Sequence, residues 1–416
     1  MLVTLHSKIR DGHRSLSDKP YFLRATFVEG QNVMLRTLQA VMKHLFITVF
    51  SALSLIAGAQ NKTAIMSQNI TLTQTWDKTF PLSEKVYHEK VTFKTQYGFT
   101  LAADLYIPKS SPSGDKRGAI AISGPFGAIK EQCSGLYAMT MAERGFITLA
   151  FDPSFTGESS GEPRRTASPD INTEDFLAAV DYLSMRENVD AEKIGIIGIC
   201  GWGGIALNAA AADPRIKATA AMTMYDMSRV NGNGYFDADD NEEARSAARK
   251  ALADERMKAT KSGKTTQGGG VVDPLPEDAP QFVKDYYDYY KTPRGYHERS
   301  GNSNDGWHTF GCQAYANTRF LYYINEIRSA VLVVHGEKAH SRYFGENAYE
   351  YMMTGKAEGY PFSPYKGELE GVSNPVPENK ELMIIPGASH CDLYDGGKDK
   401  VIPWDKLEVF FNENLK

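Results

Sequence analysis

The chain has 416 residues, of which 42% are hydrophobic and 23% are charged, a composition typical of globular proteins. Its formal net charge of −5 offers no basic surface for nucleic acid, so we expect a small-molecule substrate and no nucleic-acid partner. The four cysteines form no CxxC pair and have no metal-ligand spacing, so neither a metal nor a cofactor is expected.

A candidate secretory signal lies inside the N-terminal region. Residues 42–59 have a cationic start, an apolar run and a terminal Ala-Gly-Ala, which is the layout of a signal peptide. The run is shorter than the about 20 apolar residues that a membrane span needs, so no span is expected after signal removal. We therefore predict a periplasmic or secreted protein. Met42, or as second choice Met34, would be the initiator, with residues 1–41 as an upstream extension. A buried amphipathic helix is the alternative interpretation.

After a predicted linker at residues 60–80, segments typical of strands alternate with segments typical of helices. In chain order these are a hairpin at 90–108, a strand at 118–124, a helix at 133–145, a strand at 146–152, a helix capped by Asn172 or Thr173, a strand at 193–200, a helix at 203–213, strands at 216–224, 329–337 and 381–390, and a helix at 404–415. Right-handed crossovers between such units produce a doubly wound, mostly parallel sheet. The predicted fold class is therefore α/β.

Residues 227–328 interrupt this alternation. They contain the acidic run DADDNEEA, the helical pattern ARSAARKALADERMKA, a QGGG turn and the aromatic run DYYDYY. Because a structureless loop of that length is uncommon in a compact domain, we predict an inserted helical cap between two core segments, 81–226 and 329–416. A separate domain is the alternative. The cap's aromatic side chains would either wall a substrate pocket or pack the cap on the sheet.

Cys200 stands between a predicted strand and a predicted helix, in the sequence GICGWGG. Such a strand-turn-helix corner directs its side chain outward at the carboxyl edge of the sheet and requires small neighbours. The N-terminus of the following helix favours a thiolate and any developing oxyanion. We therefore interpret Cys200 as a nucleophile rather than a core or disulfide residue. Trp202 replaces the second glycine of G-x-S-x-G, and it would line the substrate pocket or pack beneath the turn.

His390 ends the last apolar strand, in IIPGASH, where a loop imidazole can reach the corner as a general base. The orienting acid is less clear, because Ala339 occupies the position where an aspartate is expected. Glu337 is the first candidate and Asp226 the second, and the absence of any acid is the third possibility. A Cys–His pair can work without a strong third member because a thiol is already acidic.

Two backbone N–H groups are needed to hold the oxyanion of an acyl-transfer intermediate. Gly201, directly after the nucleophile, offers one of them. The loop SGPFGA at 123–128 would offer the other. Because Pro125 has no N–H, Phe126 is the first choice and Gly127 the second. A plain tight turn is the alternative interpretation of this loop.

Taken together, the hairpin and the segments GPFG, FDPSFTGESSGEP, GICGWGG, VVHGEKAHSRYF and PGASH resemble the α/β-hydrolase superfamily. They resemble in particular its dienelactone-hydrolase-like and X-Pro-dipeptidyl-peptidase-like branch, which includes fungal polyketide acyltransferases. The resemblance covers roughly residues 85–416 outside the cap. It implies the α/β-hydrolase fold, Cys200 as nucleophile and His390 as base. Dienelactone hydrolases also carry a cysteine at this corner.

These residues predict an exported hydrolase that acts through an acyl-enzyme. A cysteine nucleophile favours lactones, activated esters and thioesters, because the tetrahedral adduct of an amide tends to expel thiolate rather than amine. Peptidase-like hydrolysis is therefore the lesser alternative. An acyltransferase using the same intermediate is a further alternative, and a catalytically silent ligand-binding protein on the same fold is an alternative of another class. The sequence predicts neither the acyl group nor the oligomeric state.

Overall fold

The structure, a computed structural model, describes residues 70–110, 116–360 and 377–415. The predicted signal at 42–59 and the extension at 1–41 lie outside these residues. Within the described ranges, no helix has both the length and the apolar character needed to cross a bilayer.

A mostly parallel sheet forms the centre of the protein. The strands in the described residues are β1 (Val86–Lys94), β2 (Thr100–Pro108), β3 (Arg117–Ser123), β4 (Ile147–Phe151), β5 (Val189–Ile199), β6 (Ile216–Met222), β7 (Gln267–Gly268), β8 (Trp307–His308), β9 (Ala330–Gly336) and β10 (Lys380–Ile385). Eight of them form one sheet in the order β1-β2-β4-β3-β5-β6-β9-β10, in which β2 pairs antiparallel with β1 and β4 and the other pairs are parallel. The predicted α/β class and strand positions are confirmed.

Strand β5 lies in the middle of this sheet, and its last six residues, 194–199, are all buried. Parallel strands are covered by helices on both faces, so a continuous apolar run is expected there. Gly195 gives room for this packing, since a Cβ at this position would lie 2.6 Å from the Phe411 ring. Because residues 194–199 are buried on both faces of the sheet, the carboxyl end of β5 is held in place, and Cys200 directly follows it.

Helices cover both faces of the sheet and form the long insertion. Their bounds are α1 (Cys133–Glu143), α2 (Pro169–Ser184), α3 (Gly201–Ala212), α4 (Met227–Asn233), α5 (Glu242–Ser262), α6 (Gln281–Tyr290), α7 (Gly301–Asn304), α8 (Gln313–Ala316), α9 (Arg342–Thr354), α10 (Asp392–Asp395) and α11 (Trp404–Asn414). Helices α4 to α8 and strands β7 and β8 make up the segment predicted as a cap. Strands β7 and β8 pair with each other as an antiparallel ribbon outside the main sheet.

Two boundaries differ from the sequence prediction. Helix α2 begins at Pro169 rather than at Asn172 or Thr173, because proline is well suited to the first helical position. The side chain of Asn172 instead accepts a hydrogen bond from the N–H of the N-cap residue, Ser168, at 3.1 Å. The packed structure also begins before residue 81, since Phe80, inside the predicted linker, is buried in the core.

Candidate active site

Cys200 occupies a strained turn between β5 and α3. Its backbone has φ 60° and ψ −129°, a conformation that residues other than glycine rarely adopt. Its N–H donates to the carbonyl of Met222 at 2.9 Å, and its own carbonyl accepts from the N–H groups of Gly203 and Tyr225 at 2.9 and 3.1 Å. These three hydrogen bonds hold the turn in this conformation. The structure thus places Cys200 at the strand-turn-helix corner that the sequence predicts.

The glycines after the thiol are required by close packing. A Cβ on Gly201 would lie 2.6 Å from the sulfur of Met227, and one on Gly203 would lie 2.6 Å from the Cβ of Met224. Both distances are shorter than real Cβ contacts, so a larger residue would displace the turn.

Trp202 does not line the cavity beside Cys200, so its prediction as a pocket residue is corrected. The indole is buried, and its ring lies 5.6 Å from the ring of Phe151 and 5.3 Å from that of Phe176, with both pairs edge to face. The side chain therefore packs beneath the turn, between β4 and α2. This was the other possibility that the sequence left open. Its apolar ring gains more from this burial than from a place at the cavity wall.

A cavity of about 950 Å³ opens at Cys200. Its aromatic lining includes Phe126, Tyr225, Tyr235, Phe282, Tyr286, Tyr290, Trp307 and Tyr394. Among the described residues that line it, Glu255 is the only carboxylate, and no lysine or arginine is present. Several of these aromatic side chains belong to the inserted segment. The cavity therefore suits a large, uncharged and partly aromatic group.

The two predicted oxyanion donors converge on the nucleophile. The backbone N–H groups of Phe126 and Gly201 both lie close enough to the Cys200 thiol to lower its pKa. The ring of Phe126 stacks on Trp307, with 4.4 Å between the ring centroids, which fixes the loop. The carbonyl of Gly127, the second choice, accepts a hydrogen bond from the hydroxyl of Ser300, the residue before α7, at 3.1 Å. The structure thus brings Cys200, Phe126 and Gly201 together, and their role with an oxyanion stays a prediction.

The imidazole of His390 is buried and bonded on both sides to hydroxyl groups. Its Nδ1 lies 2.8 Å from Oγ1 of Thr223 and 2.6 Å from Oγ of Ser341, and its Nε2 lies 2.9 Å from the hydroxyl of Tyr394. The Tyr394 hydroxyl also lies close enough to the Cys200 thiol to lower its pKa, and both side chains line the same cavity. Within the part of the chain that the structure describes, no hydrogen bond joins His390 to Cys200 directly. Tyr394 therefore stands between the predicted nucleophile and the predicted base.

Neither predicted acid contacts His390. Glu337 is exposed on the turn after β9, where its Oε2 accepts a hydrogen bond from the N–H of Gly387 at 2.8 Å. Asp226 is buried and caps α4, accepting hydrogen bonds from the backbone N–H groups of Ser228 and Arg229 at 2.9 and 3.0 Å. Both carboxylates are thus committed to backbone donors elsewhere. The structure corrects both assignments, because hydroxyl groups occupy the side of His390 that an acid would occupy.

The resting state of the site is uncharged. Burial raises the pKa of the Cys200 thiol, and hydrogen bonds from Tyr394, Phe126, Gly201 and Tyr286 oppose this effect only in part. Burial, with smaller contributions from the nearby histidines, holds the pKa of His390 well below its usual range. Desolvation therefore outweighs the helix N-terminus that was expected to favour a thiolate, and a neutral thiol faces a neutral imidazole.

A second chain of hydroxyl groups leads away from Cys200. The hydroxyl of Tyr286 lies close enough to the thiol to lower its pKa and is 3.0 Å from the hydroxyl of Tyr225, which in turn hydrogen-bonds to Nε2 of His340. The imidazole of His340 stacks on Phe282, with 4.5 Å between ring centroids. Burial lowers the pKa of His340 to about 4, so this ring is neutral at physiological pH.

Tyr394, Ser341 and Thr223 are site residues that the sequence motifs do not indicate. Tyr394 follows His390 by four residues, a spacing that places two side chains on the same side of a helical turn. Ser341 comes two residues after Ala339, the position examined for an acid. Both signals are present in the sequence, but they belong to hydroxyl groups, whereas the orienting residue of a catalytic triad is expected to be a carboxylate.

Comparison with known proteins agrees with the fold. A family model described as PETase, PET hydrolase-like, matches residues 84–233. Protein PA2218 of Pseudomonas aeruginosa is 51% identical over 360 residues, covering 86% of this chain and 89% of PA2218. The crystal structure of PA2218 matches with a TM-score of 0.74, covering 83% of this chain and 99% of that one. The chain belongs to the α/β-hydrolase superfamily.

Further relatives of this α/β hydrolase differ in how much of the chain they cover. YcjY of Escherichia coli is 30% identical over 343 residues, covering 79% of this chain and 99% of YcjY. The acyltransferase drtE of Aspergillus calidoustus is 37% identical over 134 residues, or 32% of this chain and 42% of drtE. The α/β hydrolase GrgF from Penicillium sp. sh18 shares the fold, with a TM-score of 0.59 at 19% identity over 79% of this chain and 99% of GrgF. The protein is an enzyme with hydrolase-like or acyltransferase-like activity on this fold.

Proposed function

We propose that this α/β hydrolase cleaves an activated ester, a lactone or a thioester through a covalent acyl-enzyme on Cys200, with His390 as the base. The observation that carries the proposal is the surrounding of the Cys200 thiol. Two backbone N–H groups and a tyrosine hydroxyl bonded to His390 converge on a sulfur that faces a cavity of about 950 Å³. A structural cysteine needs none of these groups.

The reaction has two halves. In the first, the thiol proton passes to His390, the sulfur of Cys200 attacks the carbonyl carbon, and the N–H groups of Phe126 and Gly201 bind the oxyanion. The intermediate then collapses, the leaving group takes the proton, and a thioester forms on the sulfur. In the second half, water gives a proton to His390 and attacks the thioester, which releases a carboxylic acid and restores the thiol.

The electrostatics of the site support a substrate with a good leaving group. The resting thiol and imidazole are both neutral, and the hydroxyl groups on Nδ1 of His390 bring no charge to stabilise an imidazolium. A substrate whose leaving group departs without full protonation needs the least proton donation from the imidazolium of His390. The aromatic cavity supports a large acyl group without negative charge, because a buried anion there would lack a cationic partner.

Acyl transfer to an alcohol or amine is the second candidate function. The similarity to the acyltransferase drtE favours it, although it covers only 32% of this chain. An aromatic cavity that excludes water would allow a second substrate to intercept the thioester. Hydrolysis and transfer share the same acyl-enzyme, so the identity of the product separates them.

The test uses p-nitrophenyl esters, an aryl lactone and an acyl thioester with the wild-type enzyme, Cys200→Ala and Cys200→Ser. We expect turnover by the wild type, an acyl adduct on the Cys200 peptide by mass spectrometry, and no turnover by Cys200→Ala. Cys312→Ala is the matched control, because this half-buried thiol lies at the cavity wall without the N–H groups. Turnover by Cys200→Ala at the wild-type rate would refute the cysteine mechanism. Binding of these compounds without any turnover would instead support a silent binding protein.

We also propose that the enzyme is exported. The support is the signal-like layout of residues 42–59, which end in Ala-Gly-Ala before Gln60. Expression from Met42 followed by cell fractionation tests this. A mature protein that begins at Gln60 outside the cytoplasm is expected, and an uncleaved cytoplasmic protein would contradict the proposal.

A further inference from the structure

The hydroxyl of Tyr394 lies where the predicted base would otherwise meet the nucleophile. We propose that Tyr394 is a catalytic residue that relays the proton of the Cys200 thiol to Nε2 of His390. The proposal rests on the cysteine mechanism argued above and adds to it the group through which the proton moves.

The position of this hydroxyl is fixed from several directions. Tyr394 is fully buried and lies on α10, where its N–H donates to the carbonyl of Cys391 at 3.0 Å. Its ring packs edge to face on that of Tyr289, with 4.9 Å between the centroids. Its hydroxyl is 2.9 Å from Nε2 of His390, and Tyr394 and Cys200 line the same cavity, with the hydroxyl close enough to the thiol to lower its pKa. A group held in this way can pass a proton without moving its ring.

The proton transfer balances without an extra reactant. The S–H bond of Cys200 breaks as its proton moves to the oxygen of Tyr394, while the original hydroxyl proton of Tyr394 moves to Nε2 of His390. The products are a thiolate, a neutral tyrosine and an imidazolium. The reverse transfer returns a proton from Nε2 through the same hydroxyl to the leaving group.

Two observations support a simultaneous transfer through a tyrosine that stays neutral. Burial raises the pKa of Tyr394 well above its usual value, so a tyrosinate intermediate would be costly. In the thiolate state, the Tyr394 hydroxyl donates to the sulfur while Nε2–H donates to the tyrosine oxygen. Each group therefore keeps a hydrogen-bond partner before and after the transfer.

The Tyr286 hydroxyl also touches the thiol, but it leads to a longer path. A proton leaving by Tyr286 must cross a second hydroxyl, that of Tyr225, before it reaches His340. The path through Tyr394 needs one hydroxyl and ends on His390. We therefore assign the relay to Tyr394, and we expect Tyr286 to stabilise the thiolate without carrying its proton.

Alkylation of Cys200 by iodoacetamide, quantified on the Cys200 peptide by mass spectrometry, tests the relay without any substrate. At pH 7, Tyr394→Phe should lower the alkylation rate at least about tenfold, because the thiol loses both its proton acceptor and a thiolate donor. Tyr289→Phe is the matched control. It removes a hydroxyl from the ring packed on Tyr394, outside the cavity lining, and should stay within about twofold of wild type. Tyr286→Phe should have a smaller effect than Tyr394→Phe.

Single-turnover acylation provides a second measurement on the same variants. Tyr394→Phe should slow acylation by about 10² or more, the usual contribution of a positioned proton-transfer group. A proton inventory of wild-type acylation in mixed H₂O and D₂O tests the relay without a variant, so it remains valid if Tyr394→Phe fails to fold. A curved plot, which indicates two protons in flight, is expected, and a linear plot would overturn the relay.

Two further results would overturn the relay. One is a folded Tyr394→Phe variant that alkylates and acylates at the wild-type rate. The other is a larger loss of both rates in Tyr286→Phe than in Tyr394→Phe. Failure of the proposed function is a different outcome, since it appears as turnover by Cys200→Ala whatever the alkylation rates are.

Discussion

The Oγ of Ser341 lies 2.6 Å from Nδ1 of His390, on the side of the imidazole where a Ser-His-Asp triad holds its carboxylate. The hydroxyl of Thr223 joins it at 2.8 Å. With Tyr394 donating to Nε2, Nδ1 carries a proton that it donates to one of these hydroxyl groups. The pair therefore fixes the tautomer and orientation of the ring, as a carboxylate would, but adds no negative charge.

The first prediction tests whether the hydroxyl groups of Thr223 and Ser341, rather than the carboxylate of Glu337, orient the imidazole of His390. Thr223→Ala combined with Ser341→Ala should lower kcat at least about tenfold, because the imidazole loses its orienting partners. Glu337→Gln is the control and should change kcat by less than about twofold, since its carboxylate binds the N–H of Gly387 on an exposed turn. Steady-state kinetics with an aryl ester measures both. A tenfold loss of kcat in Glu337→Gln alone would instead show that Glu337 is the orienting acid.

The second prediction concerns a negative charge placed beside Nδ1 of His390, where the wild type has only hydroxyl groups. A carboxylate in Ser341→Asp would favour the imidazolium of His390 and raise its pKa. In the wild type this pKa lies well below the usual range, so the acid limb of the profile of kcat/KM against pH falls below pH 6.5.

Because activity disappears as the base becomes protonated, a higher pKa of His390 moves that limb to higher pH. Ser341→Asn has nearly the same size without the charge and should leave the limb in place. The prediction fails if the two variants give the same pH profile.

The predictable part of this enzyme is the part that depends on local signals. The run that ends in Cys200 was assigned correctly as a strand followed by a helix, because burial and small residues at the corner are visible in the sequence. The place of the loop at 123–128, the predicted oxyanion loop, beside Cys200 followed from the same topology, since carboxyl ends of parallel strands meet at one edge of the sheet. The alanine at 339, where an aspartate is expected, agrees with the hydroxyl groups of Thr223 and Ser341 on Nδ1 of His390.

The rest depends on the directions of side chains, which a sequence does not contain. Glu337 follows β9 as an acid should, yet its carboxylate turns to the neighbouring backbone. Trp202 is near the thiol in sequence, but its indole points into the core. Tyr394 gains its place from packing against residues far away in the chain, such as Tyr289. Pattern and spacing alone indicate which residues are near the site and leave their contacts open.

The third prediction concerns this core position. Trp202→Ala should lower the free energy of unfolding by about 3–5 kcal/mol, because it leaves a large cavity beneath the turn. Trp307→Ala is the matched comparison, since this half-buried indole lines the cavity and stacks on Phe126. It should mainly raise KM. Urea unfolding and steady-state kinetics measure the two effects. A change of KM in Trp202→Ala without loss of stability would instead indicate that Trp202 lines the substrate pocket.

The fourth prediction concerns a buried ion cluster next to the oxyanion loop. The ammonium of Lys130 lies 2.8 Å from Oδ2 of Asp152, 2.8 Å from Oε1 of Glu131 and 2.7 Å from Oε2 of Glu158, and its backbone N–H also donates to Asp152 at 2.8 Å. The cluster ties the end of the oxyanion loop to the end of β4. Nearby carboxylates raise the pKa of Lys130 against the effect of burial.

Lys130→Met would leave these carboxylates buried with a cation removed, so the free energy of unfolding should fall by about 3–5 kcal/mol at pH 8. Glu131 and Glu158 keep Lys90 and Arg299 as partners, whereas Asp152 loses the cation beside it. Burial then raises the pKa of Asp152 further, and the folded variant binds a proton that the unfolded chain has released. The stability of the variant is therefore lost as pH rises through the pKa of Asp152, and the deficit should be smaller at pH 5 than at pH 8. Lys250→Met, at an exposed pair with Asp254, is the control and should cost less than about 1 kcal/mol at either pH. Urea unfolding of both variants at the two pH values measures this, and an equal deficit at pH 5 and pH 8 would show that the carboxylates of the cluster are not the cause.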